Sequence, residues 1–142
     1  MPILNYTTSI SEHRTVGEIQ QILAKAGAKA VSIDYGEQGE PIALTFLVEI
    51  QGTMVNFRLP TRYDGVLKKL VNDPNVPKKF KDRSQALRVS WRIIKDWVEA
   101  QLAIIEAGQA ELAEVFLPYA VTPSGRTLFN EVMNTNLLGS GA

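Results

Sequence analysis

The chain has 142 residues, 45% hydrophobic and 21% charged, a balance that excludes an unfolded polyelectrolyte and fits a folded domain. It has no cysteine, so disulfides and thiolate metal sites are excluded. Fifteen Lys and Arg offset fifteen Asp and Glu, a neutrality that conceals strong local segregation.

The length suits a single domain over residues 1–142, able to bury roughly two-thirds of its unfolded surface. The start, MPILNYTTSI, lacks the basic residues and sustained apolar run of a signal peptide. No apolar stretch approaches the roughly 18–20 residues needed to span a bilayer. A cytoplasmic protein with no membrane partner is therefore expected.

In chain order, residues 3–9 are expected to form a short strand. Thr15 is expected as a helix N-cap with Glu18 at the reciprocal capping position. Val16, Ile19, Ile22, Leu23 and Ala26 follow at helical spacing, and Gly27 supplies a stop. Ala28–Tyr35 reads as a strand, with Val31, Ile33 and Tyr35 on one face. After a turn-rich loop, Ile42, Leu44, Phe46, Val48 and Ile50 alternate with strict period two. Gln51-Gly52 closes a two-residue hairpin into Thr53–Pro60. That turn sets a register: Ile50 opposite Thr53, Val48 opposite Val55, Phe46 opposite Phe57, Leu44 opposite Leu59. Every pair after the first is apolar on both strands, so turn and pattern agree.

Met54, Asn56 and Arg58 fall on the other face of this third strand. Thr61 is expected to cap a short helix holding Tyr63, Val66, Leu67, Leu70 and Val71, and 72–81 to be an exposed connection. A long helix is expected from Asp82–Ser84 to Pro118, weakened but not ended at Gly108. Its two apolar stripes, through Leu87, Trp91, Ile94 and Val98 and through Ala86, Ile93, Trp97 and Ala100, need cover on two sides. The sheet and a further helix or subunit would supply it, which favours a homo-oligomer. A Pro123-Ser124-Gly125 turn, an amphipathic segment through Leu128, Phe129, Val132 and Met133, and a frayed tail at 138–142 complete the chain. The fold class is α+β: N-terminal helix, three-stranded antiparallel β-meander, short helix, and a long C-terminal helix packed on the sheet.

Eleven of the fifteen bases lie between Arg58 and Lys95, opposed only by Asp64, Asp73 and Asp82, a local charge of +8. Such asymmetry points to a surface that meets an anion. The candidate ligand-binding residues are Arg58, Arg62, Tyr63, Lys78, Lys79, Lys81, Arg83, Arg88 and Arg92. Bases supply phosphate contacts, aromatic faces can stack nucleobases, and the start of the long helix can offer free N–H groups. Trp91 and Phe57 fall on core faces, which leaves Tyr63 and Phe80 as the stacking candidates. Arg92 is expected to pair with Asp96 and Lys95 with Glu99 at i,i+4 spacing. Arg58, Arg62 and the lysine-rich connection have no such sequence-local partner.

His13 is the only histidine, which excludes a His-rich zinc site within one chain. Placed before the first helix beside Arg14, it reads as a solvated residue rather than a member of a catalytic triad. No GxGxxG, Walker A sequence or metal-spaced carboxylate set occurs. Glu106, Glu111 and Glu114 read as a solvated acidic face. No catalytic residue, metal or cofactor is assigned.

The run Gln85-Ala86-Leu87-Arg88-Val89-Ser90-Trp91-Arg92-Ile93-Ile94-Lys95-Asp96-Trp97-Val98-Glu99-Ala100-Gln101-Leu102-Ala103 resembles a family of small bacteriophage and prophage proteins, as do Val115-Phe116-Leu117-Pro118-Tyr119 and Phe57-Arg58-Leu59-Pro60. The similarity runs from about Asn5 to Met133. It implies a viral origin and a bacterial cytoplasmic setting, and carries over no catalytic residue or ligand. The expected function is a non-enzymatic phage accessory protein binding a phosphate-bearing ligand, nucleic acid or nucleotide, in replication, in recombination or in sequestering a host-defence signal. Two alternatives stand beside it: an inhibitor that binds an acidic host protein through charged faces, and an enzyme whose site assembles only in the fold or oligomer.

Overall fold

In a computed structural model, which describes residues 1–139, helices cover one face of a three-stranded antiparallel sheet. The elements are α1 (Glu12–Lys25), β1 (Ala30–Tyr35), β2 (Pro41–Ile50), β3 (Thr53–Pro60), α2 (Tyr63–Asn72), α3 (Arg83–Glu106), α4 (Leu112–Phe116) and α5 (Leu128–Thr135). Single 3₁₀ turns occur at Lys78–Phe80 and Leu117–Tyr119. The expected α+β architecture is present, with the sheet in the order β1-β2-β3. Of the tail expected to fray, residues 140–142 lie outside the described residues.

The hairpin register is the one the alternating pattern sets: Ile50 faces Thr53, Val48 faces Val55, Phe46 faces Phe57 and Leu44 faces Leu59. Gln51 and Gly52 both take positive φ, 50° and 83°, the conformation of the tight turn that matches strand twist. The inner sheet face, through Leu44, Phe46, Phe57 and Leu59, packs on Val16, Ile19 and Leu23 of α1, on Trp91 and Val98 of α3, and on Phe116. A second apolar cluster, Leu70, Val76 and Ala86 with Tyr6, Val66, Leu67 and Phe80 around it, joins α2 to the start of α3.

Several local expectations are corrected. Residues 4–7 form a turn rather than a strand, because the carbonyls of Tyr6 and Thr8 are tied by the buried Gln85 Nε2 at 2.8 and 3.0 Å. The N-cap of α1 is Ser11, whose hydroxyl accepts from the Arg14 N–H. Thr15 is buried one turn inside, donating to the Ser11 carbonyl, and Glu18 turns towards α3. Thr61 caps nothing: Arg62 is the N-cap residue of α2, and no side chain caps that helix.

The long helix ends at Glu106, a dozen residues before Pro118. Gly108 takes φ +75°, its N–H reaches the Ile105 carbonyl, and the Gln109 N–H reaches that of Ile104. This left-handed residue closes the helix, and the chain folds back so that α4 carries Phe116 into the core. Leu112 and Phe116 therefore do not extend the stripe of α3. Gly108→Ala is expected to cost about 1–2 kcal/mol, since a side chain at positive φ is strained, and urea denaturation measures it. The stripe through Leu87, Trp91, Ile94 and Val98 packs within the chain, whereas along the other Ala86 is buried, Ile93 and Trp97 are half-buried and Ala100 is exposed. That second stripe is only partly covered by the chain itself. No helix among the described residues is long and apolar enough to cross a membrane.

Candidate functional site

The fold divides the basic segment into cations already engaged and cations left free. Arg58, on the outer face of β3, pairs with Asp34 of β1, a partner that only the sheet supplies. Arg83 opens α3 and binds three elements together. Its guanidinium donates to Tyr63 Oη at 2.9 Å, to Glu40 Oε1 at 3.0 Å and to Gln38 Oε1 at 2.8 Å. The bond to Tyr63 first, then that to Glu40, raises the Arg83 pKa above its ordinary value. The Glu40 carboxylate folds back over Gly36, where a Cβ would sit 1.9 Å from its Oε1. A bond from the Glu40 backbone N–H outweighs desolvation and, with Arg83, holds that carboxyl below its ordinary range.

Arg92 does not pair with Asp96. It reaches across to α1, donating to Glu18 Oε1 at 2.9 Å, while Asp96 accepts from Asn5 Nδ2. Lys95 joins the same carboxylate at 3.5 Å and also meets Glu99 at 3.0 Å, as its spacing predicts. Desolvation pushes the Glu18 carboxyl up, and the charges of Lys95 and Arg92 more than offset this, so its pKa falls below the ordinary 4.5. The sign follows. A depressed folded-state pKa gives stability that is complete above 4.5 and is lost as pH falls through the folded value. The stability advantage of the wild type over Glu18→Gln is expected to shrink below pH 4.5 and hold steady above it, as read by urea denaturation at a series of pH values.

Both stacking candidates are also occupied. Tyr63 carries the Arg83 guanidinium 4.9 Å above its ring as well as on its hydroxyl. Phe80 packs edge-on to Tyr6 at 5.8 Å within the second core cluster. Trp91 and Phe57 are fully buried, as expected. The start of α3 is not an open set of N–H groups, because Asp82 Oδ1 accepts from the Gln85 N–H at 2.8 Å. Arg88 rests on Gln85 Oε1 at 2.7 Å, with no carboxylate partner.

Among the described residues, Arg62, Lys78, Lys79 and Lys81 form no ion pair, and neither do Lys68 and Lys69. Lys78 and Lys79 are exposed on the 3₁₀ turn, and Lys81 is half-buried just after it. Lys68 and Lys69 lie on the exposed side of α2 near its end, and both segments converge on the second core cluster through Leu70 and Phe80. The result is a corner rich in ammonium groups. Arg62 stands apart at the other end of α2. No cluster of three or more His, Cys, Asp or Glu among the described residues is placed to hold a metal.

Sequence reasoning missed the lysines of α2 as members of this corner, although their place in the basic run was plain. It also missed the buried hydroxyls of Thr61 and Ser90, neither of which has a hydrogen-bond partner. The only signal was Ser90 falling at helical spacing between Ala86 and Ile93, inside an apolar stripe. No protein-family profile, curated protein or solved structure matches the chain.

Proposed function

We propose that this is a non-enzymatic accessory protein that binds a phosphate-bearing ligand, above all single-stranded nucleic acid, at the lysine corner. The observation that carries this is the difference between partnered and unpartnered cations. Arg58, Arg83 and Arg92 are held by Asp34, Glu40 and Glu18, whereas Lys78, Lys79 and Lys81 have no carboxylate. Flexible ammonium groups on an exposed turn suit successive backbone phosphates. With Tyr63 and Phe80 committed elsewhere, base stacking adds little, so binding is salt-sensitive and indifferent to sequence.

A phage origin and a bacterial cytoplasmic setting belong to the same proposal and rest on the resemblance of 85–103 and 115–119. Fluorescence anisotropy of labelled oligonucleotides tests the reading. Equal affinity for poly-dT and mixed-sequence strands at low salt is expected, and absence of binding to both removes it. A partner retained from nuclease-treated host lysate, with no oligonucleotide binding, would favour inhibition of a host protein instead.

A further inference from the structure

We propose that the free edge of β1 is a dimer interface, on which a second copy of this chain lays its own β1 antiparallel and joins the two sheets. This interface does not depend on the lysine corner, which lies on α2 and the 3₁₀ turn before α3.

The hairpin dictates which backbone groups that edge offers. The two-residue Gln51-Gly52 turn makes Ile50 and Thr53 a hydrogen-bonded pair, so the even-numbered residues of β2 bond to β3. The Thr61 N–H on the Ile42 carbonyl continues that row. The odd-numbered residues of β2 therefore turn to β1, where Ala43, Thr45 and Leu47 stand opposite Asp34, Ser32 and Ala30. Val31 and Ile33 are left with N–H and C=O groups directed away from the sheet. Among the described residues, no other strand or loop backbone bonds to them. The opposite edge of the sheet is closed by the chain itself. Along β3, Ala120 bridges Phe57, and the Val121 N–H bonds to the Asn56 carbonyl. Exposed edges are ordinarily blunted by lysine, proline or inward-pointing charge, and between Ala30 and Ile33 β1 carries none of these. A bulge between Asp34 and Tyr35 confines pairing to this short run.

A second copy is the fitting occupant because β1 is complementary to itself. A two-fold axis through Ser32 sets Val31 opposite Ile33 of the second copy, and these pairs exchange the free N–H and C=O groups. The same pairs join half-buried apolar side chains on the helix-covered face. On the other face the exposed Ser32 meets its own counterpart, and Asp34, already paired with Arg58, meets Ala30. Charge agrees with this antiparallel sense. Lys29 before the strand and Glu37 after it are exposed and form no ion pair within the described residues. The axis brings the basic end of each strand to the acidic end of the other, with Lys29 opposite the 59% exposed ring of Tyr35. A strand-edge contact falls below the standard interface of about 1,600 Å², so a dissociation constant in the micromolar range is expected.

Sedimentation equilibrium of the full chain tests the assignment, with the average mass expected to rise towards twice the chain mass between about 1 μM and 1 mM. Ser32→Cys is expected to form a disulfide-linked dimer under mild oxidation. Residues facing each other across the axis form a non-hydrogen-bonded pair about 4.5 Å apart at Cα, within disulfide reach. The chain has no cysteine, so every such bond joins two copies. Met54→Cys, exposed on β3, should crosslink far more slowly. Ser32→Lys and Ser32→Glu should each be monomeric, because like charges then face each other, and an equal mixture of the two should dimerise again. Both should melt close to the wild type at low concentration, since Ser32 is exposed in the single chain. A chain that stays monomeric near 1 mM would overturn the proposal and leave the edge to an extended segment of another protein. A dimer untouched by Ser32→Lys and Ser32→Glu would lie elsewhere on the surface and overturn it too, as would Ser32→Cys crosslinking no faster than Met54→Cys.

Discussion

Trp91→Ala is expected to destabilise the chain by about 3–5 kcal/mol, the range for truncating a fully buried tryptophan. The indole is 0% exposed, packed between the inner face of the sheet and α1, and its Nε1–H donates to the Pro41 carbonyl at 3.1 Å. Truncation opens a cavity and leaves that carbonyl without its donor. The loss is a large fraction of the roughly 5–15 kcal/mol that holds a domain of this size together. Urea denaturation at neutral pH measures it, with Trp91→Phe as a milder variant that keeps most of the volume and removes only the N–H. Trp91 sits in the basic segment, so the same substitution separates two roles. A core residue lowers stability and leaves ligand affinity intact in whatever protein remains folded, whereas a stacking platform would do the reverse.

The second large effect concerns binding. Reversing Lys78, Lys79 and Lys81 to glutamate together is expected to weaken oligonucleotide binding by more than tenfold, a loss above about 1.4 kcal/mol. All three side chains lie on or beside the 3₁₀ turn without a carboxylate partner, so the change removes ligand contacts without breaking an ion pair of the fold. Stability should therefore stay close to that of the wild type at the exposed Lys78 and Lys79, where such substitutions fall within about 0.5 kcal/mol each. A larger cost is expected only at the half-buried Lys81. Lys25→Glu with Lys29→Glu provides the control, because both residues are exposed and lie outside the basic segment. A general charge effect would weaken binding there too, whereas a local site would not. Reversal at Arg83 is a poor probe, because that guanidinium ties the β1–β2 loop and Tyr63 to the start of α3.

What was legible in the sequence follows from the range of the forces involved. The meander and its register were readable because the Gln51-Gly52 turn and the period-two pattern are local and agree pair by pair. The burial of Trp91 and Phe57 was readable from the same periodicities. Helix ends were less so: Ser11 displaced Thr15 as the cap of α1, and Gly108, expected only to weaken α3, closes it. In each case the outcome depended on where the chain turned next, which a local pattern does not contain. The charge map was the least legible. Arg92 prefers Glu18 on another helix to Asp96 on its own, and Arg58 finds Asp34 two strands away. Those pairings exist only once β1, α1 and α3 are assembled. They reduce the basic segment to Arg62, Lys68, Lys69, Lys78, Lys79 and Lys81, with Arg88 held on an uncharged amide.

The most direct test of the lysine corner is the salt dependence of wild-type binding to labelled single-stranded DNA, measured by anisotropy between 50 and 200 mM salt. If Lys78, Lys79 and Lys81 each neutralise one phosphate, log K falls linearly with log salt with a slope of about −2, at roughly 0.7 per contact. Affinity that does not change across that range, or no binding at 50 mM, would contradict the account.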